Sequence, residues 1–266
     1  MIVNREISRS DIPALTQLWI ECFEEKREAA ELFFERNMSY THGCLAQDGG
    51  KIIAAVYLIS CTLCGGQAHY LCGAATLPQY RGRGVMSSLM RFALRGAAER
   101  GDLWSVLLPA GEGLYGFYKR FGYAEDCSEC EITLGCGAPG NISEGEPDLE
   151  RLQAACFKNN FLYWNNDYIR FAEKYYSCYG VSSAKGKNVF ALYERSGDYA
   201  EVFYAIYNDI KELKSHLSAE GIRRFTLKGA AGSPLFEGCK PEKRGMILPL
   251  SDKKPPERTY IGITLS

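Results

Sequence analysis

Apolar positions along this chain fall into two rhythms, one fitting helices and one fitting strands. Ile12, Leu15, Leu18, Trp19, Cys22 and Phe23 recur at helical spacing. Ser10-Asp11-Ile12-Pro13 opens that stretch with a capping hydroxyl, an acid for the first turn and a proline where no N–H is needed. Residues 2–7 ahead of it read as a strand, and a second helix is predicted over 27–37. Residues 44–46 and 51–63 read as a hairpin about the turn Asp48-Gly49-Gly50. Gly65-Gly66 marks another turn, with a strand over 68–76. The pairs Val85-Met86, Leu89-Met90, Ala93-Leu94 and Ala97-Ala98 define one face of a helix over 85–100, with Arg91, Arg95 and Glu99 opposite and Gly101 as its stop. A short strand over 104–108 follows. Leu114, Phe117, Tyr118 and Phe121 form a further helical face ended by Gly122, and 123–134 suggests a last pair of strands.

Residues 135–147 are rich in Gly, Pro, Ser and Glu, which marks a linker. The expected division is a first domain over 1–137, a tether over 138–145 and a second domain over 146–266. The second half repeats the mixture, with helices predicted near 148–157 and 167–179 and another running to Glu220. Strands are predicted near 189–193, 200–207, 225–228, 246–250 and 260–265. The fold class is therefore α/β, with mixed sheets in both halves.

Composition narrows the function classes. Apolar residues make up 46% and charged residues 24%, an ordinary globular balance. A net charge of -1 gives no bulk attraction to nucleic acid or to an anionic membrane. The first residues lack the apolar core of a signal peptide, and no apolar run approaches a membrane span, so a cytoplasmic protein is expected. The eleven cysteines are odd in number and scattered, which fits reduced, mostly buried thiols.

Candidate chemistry centres on Thr76-Leu77-Pro78-Gln79-Tyr80-Arg81-Gly82-Arg83-Gly84-Val85-Met86, which joins an apolar strand to an amphipathic helix. A helix N-terminus offers unpaired N–H donors and the positive end of a dipole, so it can hold a pyrophosphate. Gly82 and Gly84 allow close approach, and Arg81 and Arg83 can meet phosphate oxygens. The plain alternative is a strand-to-helix loop with two solvated arginines.

Gln79-Tyr80-Arg81-Gly82-Arg83-Gly84 resembles the signature Q/R-x-x-G-x-G/A with which the GNAT acetyltransferase superfamily binds coenzyme A. The element order over 2–134 is similar to the GNAT core. Leu114-Tyr115-Gly116-Phe117-Tyr118-Lys119-Arg120-Phe121-Gly122-Tyr123 resembles that family's later helix, which carries a tyrosine near the thioester. The two-domain order is similar to bacterial acetyltransferases of the enhanced-intracellular-survival type, in which a degenerate GNAT-like domain follows the catalytic one. The resemblance implies a GNAT fold, acetyl-CoA as cosubstrate, and transfer of its acetyl group to a primary amine of a small molecule or peptide. It implies a coenzyme A site at Ala75, Thr76, Leu77, Gln79, Arg81, Gly82, Arg83, Gly84, Val85 and Met86, with backbone N–H groups near 75–77 serving the oxyanion and the pantetheine. Tyr118 is implied as proton donor to the leaving thiolate. The rival reading is a coenzyme A-binding sensor or scaffold without turnover.

The general base is missing from its common place, because 68–76 carries no carboxylate. Glu112, after the 104–108 strand, is the candidate in its stead; His69 fits a structural role better. Cys61-x-x-Cys64 and Cys127-x-x-Cys130 invite a zinc reading. The expected topology puts the pairs at separate ends of a sheet, so no metal site is expected. The second half has no copy of the arginine-glycine turn; its glycine run over 228–234 lacks a following amphipathic helix.

Overall fold

The computed structural model describes residues 1–156 and 160–265. Contacts gather these into two compact units, Met1–Glu125 with Gly245–Pro255, and Asp126–Arg244 with Pro256–Thr264. No described helix is long and apolar enough to cross a membrane.

The first unit runs β1 (Ile2–Glu6), α1 (Ile12–Phe23), α2 (Arg27–Asn37), β2 (Thr41–Asp48), β3 (Lys51–Leu63), β4 (Gly66–Thr76), α3 (Val85–Glu99), β5 (Trp104–Leu107) and α4 (Glu112–Lys119). Its sheet has the order β1-β2-β3-β4-β5, followed by the strand Met246–Pro249. Every neighbouring pair is antiparallel except β4–β5. α3 makes the crossover between those two parallel strands, as a parallel pair requires. Most of the apolar stripe read from the sequence is buried here: Val85, Leu89, Met90, Ala93, Leu94 and Ala97 face the core, whereas Met86 is half-buried and Ala98 exposed.

Two irregularities shape β4. The β4–β5 ladder pairs only Ala68 to Tyr70 with Trp104 to Val106, so the two strands part before β4 ends. Opposite β3, the register slips between Tyr57↔Cys72 and Ala55↔Ala75, leaving Gly73 and Ala74 against Val56 alone. This is a bulge, with Gly73 in the left-handed region at φ +60°.

The second unit runs β6 (Ser128–Gly135), α5 (Leu149–Cys156), β7 (Leu162–Trp164), α6 (Asn166–Ser177), β8 (Ser182–Gly186), β9 (Val189–Ser196), β10 (Tyr199–Tyr207), α7 (Ile210–Ala219), β11 (Arg224–Gly229) and β12 (Glu242–Lys243). Its sheet order is β12-β6-β11-β10-β9-β8. An antiparallel run β8-β9-β10 leads through α7 to the parallel strand β11. The first unit does the same with β2-β3-β4, α3 and β5. The core of the second unit gathers Val202, Leu213, Leu217, Phe225 and Leu227 between α7 and the sheet. Each unit thus builds a mixed α/β sheet in which an antiparallel run leads through a helix to a parallel strand.

Several expectations are corrected. Residues 123–134 do not form two strands of the first sheet. β6 belongs to the second unit, where it pairs with β11 over Gly135↔Arg224 to Cys130↔Gly229. The place beside β5 is filled by Met246–Pro249, antiparallel from Met246↔Leu107 to Pro249↔Trp104. The units divide at Glu125 and Asp126, not at 137 and 146. Residues 138–145 are no free tether: Gly140 N–H donates to Ser215 Oγ at 3.2 Å and Ser143 N–H to Glu212 Oε1 at 3.1 Å, both acceptors on α7. Residues 260–265 form no strand; Tyr260 alone among them makes an isolated bridge, to Phe161. The helix expected over 148–157 is α5; residue 157 lies outside the described set. β8 and β12 were not expected at all; neither carries an apolar alternation long enough to read.

Candidate active site

The strand-to-helix turn has the geometry of an anion cradle. Gly82 and Gly84 take φ +74° and +76°, where a side chain would be strained. A Cβ built on either glycine meets no atom within 4 Å, so open space lies above both. Gly84 is the N-cap of α3 and supplies no side-chain cap. The first helical bond runs from Ser88 N–H to Gly84 C=O at 3.0 Å, so the N–H groups of Val85, Met86 and Ser87 have no acceptor within the helix. Bare donors, a positive dipole end and free volume fit a diphosphate.

The predicted binding residues divide by what they offer. Gln79, Arg81, Gly82, Arg83 and Gly84 are exposed along the turn. Arg83 lies over the Tyr80 ring, 5.5 Å from its centre. Arg81 folds back, its Nε donating to Thr76 C=O at 2.9 Å. Val85 is buried, leaving only its backbone to face a ligand. Leu77 is a correction: its N–H donates to Ile53 C=O at 2.9 Å and its side chain is buried, so it has no free donor. That bond fixes the alternation of the ladder and turns the backbone of Thr76 the other way, toward the side where β5 has parted from β4.

A pocket of about 230 Å³ opens at that parting. Ala74, Ala75 and Thr76 form one wall, with Arg81 and Met86 from the turn. Leu114, Phe117 and Tyr118 of α4 form another, and Cys22 and Phe23 at the end of α1 complete it. Tyr118 is buried, and Tyr115 is outside the lining. Burial, with a smaller contribution from the Cys72 thiol, pushes the Tyr118 phenol up to about 12, so it holds its proton at neutral pH. Its ring stands edge-on to Phe117 at 5.1 Å and Tyr123 at 5.9 Å. Glu112, the first residue of α4, is exposed and outside the lining. The lining contains no carboxylate.

His69 is not near this chemistry. It is 1% exposed, its Nδ1 lies 2.7 Å from Asp102 Oδ2, and it pairs with Ser105 near the far end of β4. Burial holds its pKa below the ordinary value despite the Asp102 partner.

A sequence profile described as "Acetyltransferase (GNAT) domain" matches residues 4–125, and with it the turn, the pocket and the parted strands. Residues 4–125 are a GNAT acetyltransferase domain. This domain is an acyltransferase whose cosubstrate is acetyl-CoA. Solved structures resemble the chain through both units. A probable N-acyltransferase from Enterococcus faecalis V583 is 16% identical with a TM-score of 0.73, covering 94% of this chain and 73% of that one. A GCN5-related N-acetyltransferase from Anabaena variabilis is 14% identical with a TM-score of 0.71, covering 94% and 73%. Eis1 from Mycobacterium abscessus is 13% identical with a TM-score of 0.67, covering 94% and 74%. At these identities the likeness establishes the fold. No curated protein matches this sequence.

Against the GNAT turn, the equivalent corner of the second unit is closed. Asp209 caps α7, its carboxylate accepting from Lys211 N–H at 2.9 Å. A helix end that is already capped by a carboxylate repels a phosphate. The glycine run over 228–234 leads only into one short 3₁₀ turn, Pro234–Phe236.

The cysteine pairs fall in different units, Cys61 and Cys64 in the first, Cys127 and Cys130 in the second. Among the described residues no group of three or more His, Cys, Asp or Glu side chains is arranged to hold a metal ion. Cys22, Phe23, Ala74, Leu114 and Phe117 are pocket residues that sequence reasoning did not assign. Their apolar spacing marked them only as helix and strand faces.

Proposed function

We propose that this protein transfers the acetyl group of acetyl-CoA to a primary amine, with Tyr118 as proton donor to the departing thiolate. The observation that carries the reading is the buried Tyr118 lining a pocket that begins at the glycine turn. In this reading the residues over 82–87 hold the diphosphate by backbone N–H groups, and the pantetheine runs beside Thr76 into the gap between β4 and β5. A neutral amine attacks the thioester carbon, forming the C–N bond. The C–S bond then breaks, and its electron pair leaves on sulfur. Tyr118 gives its proton to that sulfur and recovers one from the newly bonded nitrogen, so the phenol is regenerated. A phenol raised to about 12 suits this task because burial raises the neighbouring Cys72 thiol as well. A thiolate left in the same apolar surroundings is equally eager for a proton.

Glu112 is the base of this proposal only if it moves in from its exposed position on α4. A proton lost from the ammonium to solvent before attack serves equally. The setting proposed is the cytoplasm, where thiols such as the eleven free cysteines stay reduced. The test is calorimetry with Gly84→Asp, which strains the left-handed turn and sets a carboxylate in the phosphate space. A folded variant should lose acetyl-CoA binding by at least a hundredfold; unchanged affinity would refute the site. Binding by the wild type without release of free thiol across an amine panel would make the protein a coenzyme A sensor instead.

A further inference from the structure

The pocket beside Tyr118 has an apolar rim. Phe23 is 43% exposed and Leu114 41% exposed, among the few large hydrophobic side chains left open to solvent, and both line this one pocket. They come from α1 and α4, elements about 90 residues apart in sequence, so their meeting is a product of the fold. Phe117 and Met86 continue the apolar surface inward. The single charged side chain in the lining is a cation, Arg81, anchored through Thr76 C=O. The nearest acids in sequence, Glu21, Glu24, Glu25 and Glu112, all stand outside the lining, the half-buried Glu25 and the three exposed ones alike.

Resting on the acetyl-transfer reading, we infer that the acceptor is a monoamine on an apolar stem, an alkyl- or arylalkylamine, and that polycationic amines are poor acceptors. Apolar surface held open at a pocket mouth is covered at a gain when an apolar group docks on it. A second or third ammonium inside the pocket would have to shed water against apolar walls with no carboxylate in the lining to receive it, and with Arg81 repelling it. The same walls address the missing base. An ammonium moved out of water against phenyl and leucyl side chains loses its proton more readily, which yields the neutral nucleophile without a carboxylate in the lining.

The test is competitive titration of the full chain, saturated with coenzyme A, using phenethylamine and spermidine as probes, with acetyl-CoA affinity measured alongside. Phenethylamine should bind at least tenfold more tightly than spermidine. Phe23→Ser should weaken phenethylamine by about tenfold more than it weakens acetyl-CoA, the scale of one aromatic side chain half uncovered. Leu114→Ser should act in the same sense. Because both residues are partly exposed, their melting temperatures serve as the check on folding. Equal binding of the two amines, no detectable phenethylamine binding, or a loss confined to acetyl-CoA overturns the inference. Failure of acetyl-CoA to bind the wild type would instead overturn the reading of the glycine turn, so the two failures are separable.

Discussion

The indole of Trp19 lies where a side chain on Gly73 would begin: a Cβ built at Gly73 would stand 2.4 Å from Trp19 Cζ3. Tyr57 Cδ2 would be 2.7 Å away, and the residue's φ of +60° adds strain for any side chain. Trp19 cannot retreat, because it stacks on Phe33 at 4.5 Å and leans on Tyr57 at 5.3 Å. The aromatic cluster therefore holds the β4 bulge from below, and the bulge re-aims Ala74 to Thr76 into the pocket. Gly73→Ala should cost about 2–4 kcal/mol, combining left-handed strain with overpacking. Thermal unfolding measures the loss. Acetyl-CoA affinity should fall with it, whereas Gly50→Ala, a left-handed glycine in an open turn, should cost far less and spare binding. Equal costs for the two would mean that Trp19 yields freely.

Tyr118→Phe retains the ring and its contacts with Phe117 and Tyr123 while deleting the hydroxyl. Fold and acetyl-CoA affinity should survive, and turnover with the best amine should drop by on the order of a hundredfold. Tyr115 is partly exposed and outside the lining, so Tyr115→Phe should change turnover by less than about threefold. Steady-state rates for the pair decide the matter. Wild-type turnover by Tyr118→Phe would assign the proton to water.

The exchange of strands between the halves of the chain has its own consequence. The fragment 1–137 keeps β6 without β11, and it leaves β5 without Met246–Pro249. An open, apolar β5 edge invites association. That fragment should fail to unfold cooperatively and should run as aggregates in size-exclusion chromatography. A monomeric 1–137 that binds acetyl-CoA would show that the Met246–Pro249 strand is dispensable.

Arg5 and Asp11 form a two-pronged ion pair, with both N···O distances 2.7 Å, and Ser8 N–H adds a third bond to the carboxylate at 2.7 Å. The hydrogen bonds from Arg5, with those from Ser8, hold the nearly buried Asp11 far below the usual carboxylate range. The folded state thus binds this proton more weakly than the unfolded chain. Its stabilisation is complete above the ordinary carboxylate pKa, about 4. It fades as pH falls from there toward the depressed folded value. At pH 7, Asp11→Asn should destabilise by about 1–3 kcal/mol. The gap between wild type and variant should narrow steadily below about pH 4. Denaturant melts at pH 7, 4 and 3 would read it; a gap independent of pH would leave Asp11 with a packing role only.

The sequence by itself determined the local elements and the chemistry that depends on neighbours along the chain. The α3 stripe, the apolar face of α1 and the turn Gln79 to Met86 were legible because helix periodicity, proline placement and left-handed glycine are local properties; the cap expected of Ser10 was not, since Ser8 and Asp11 bond each other around a 3₁₀ turn ahead of α1. Only the tertiary structure decided which strand lies beside β5, because Met246–Pro249 reads as a short apolar run that suits any sheet. It also moved the domain division to Glu125 and committed the Leu77 N–H to Ile53. The pocket lay furthest from view. Cys22 and Phe23, Ala74, and Leu114 and Phe117 sit on three elements, and each carries an ordinary apolar signature. They meet because β4 bulges at Gly73 and β5 turns away after Val106, and no periodicity along the chain records where two strands part.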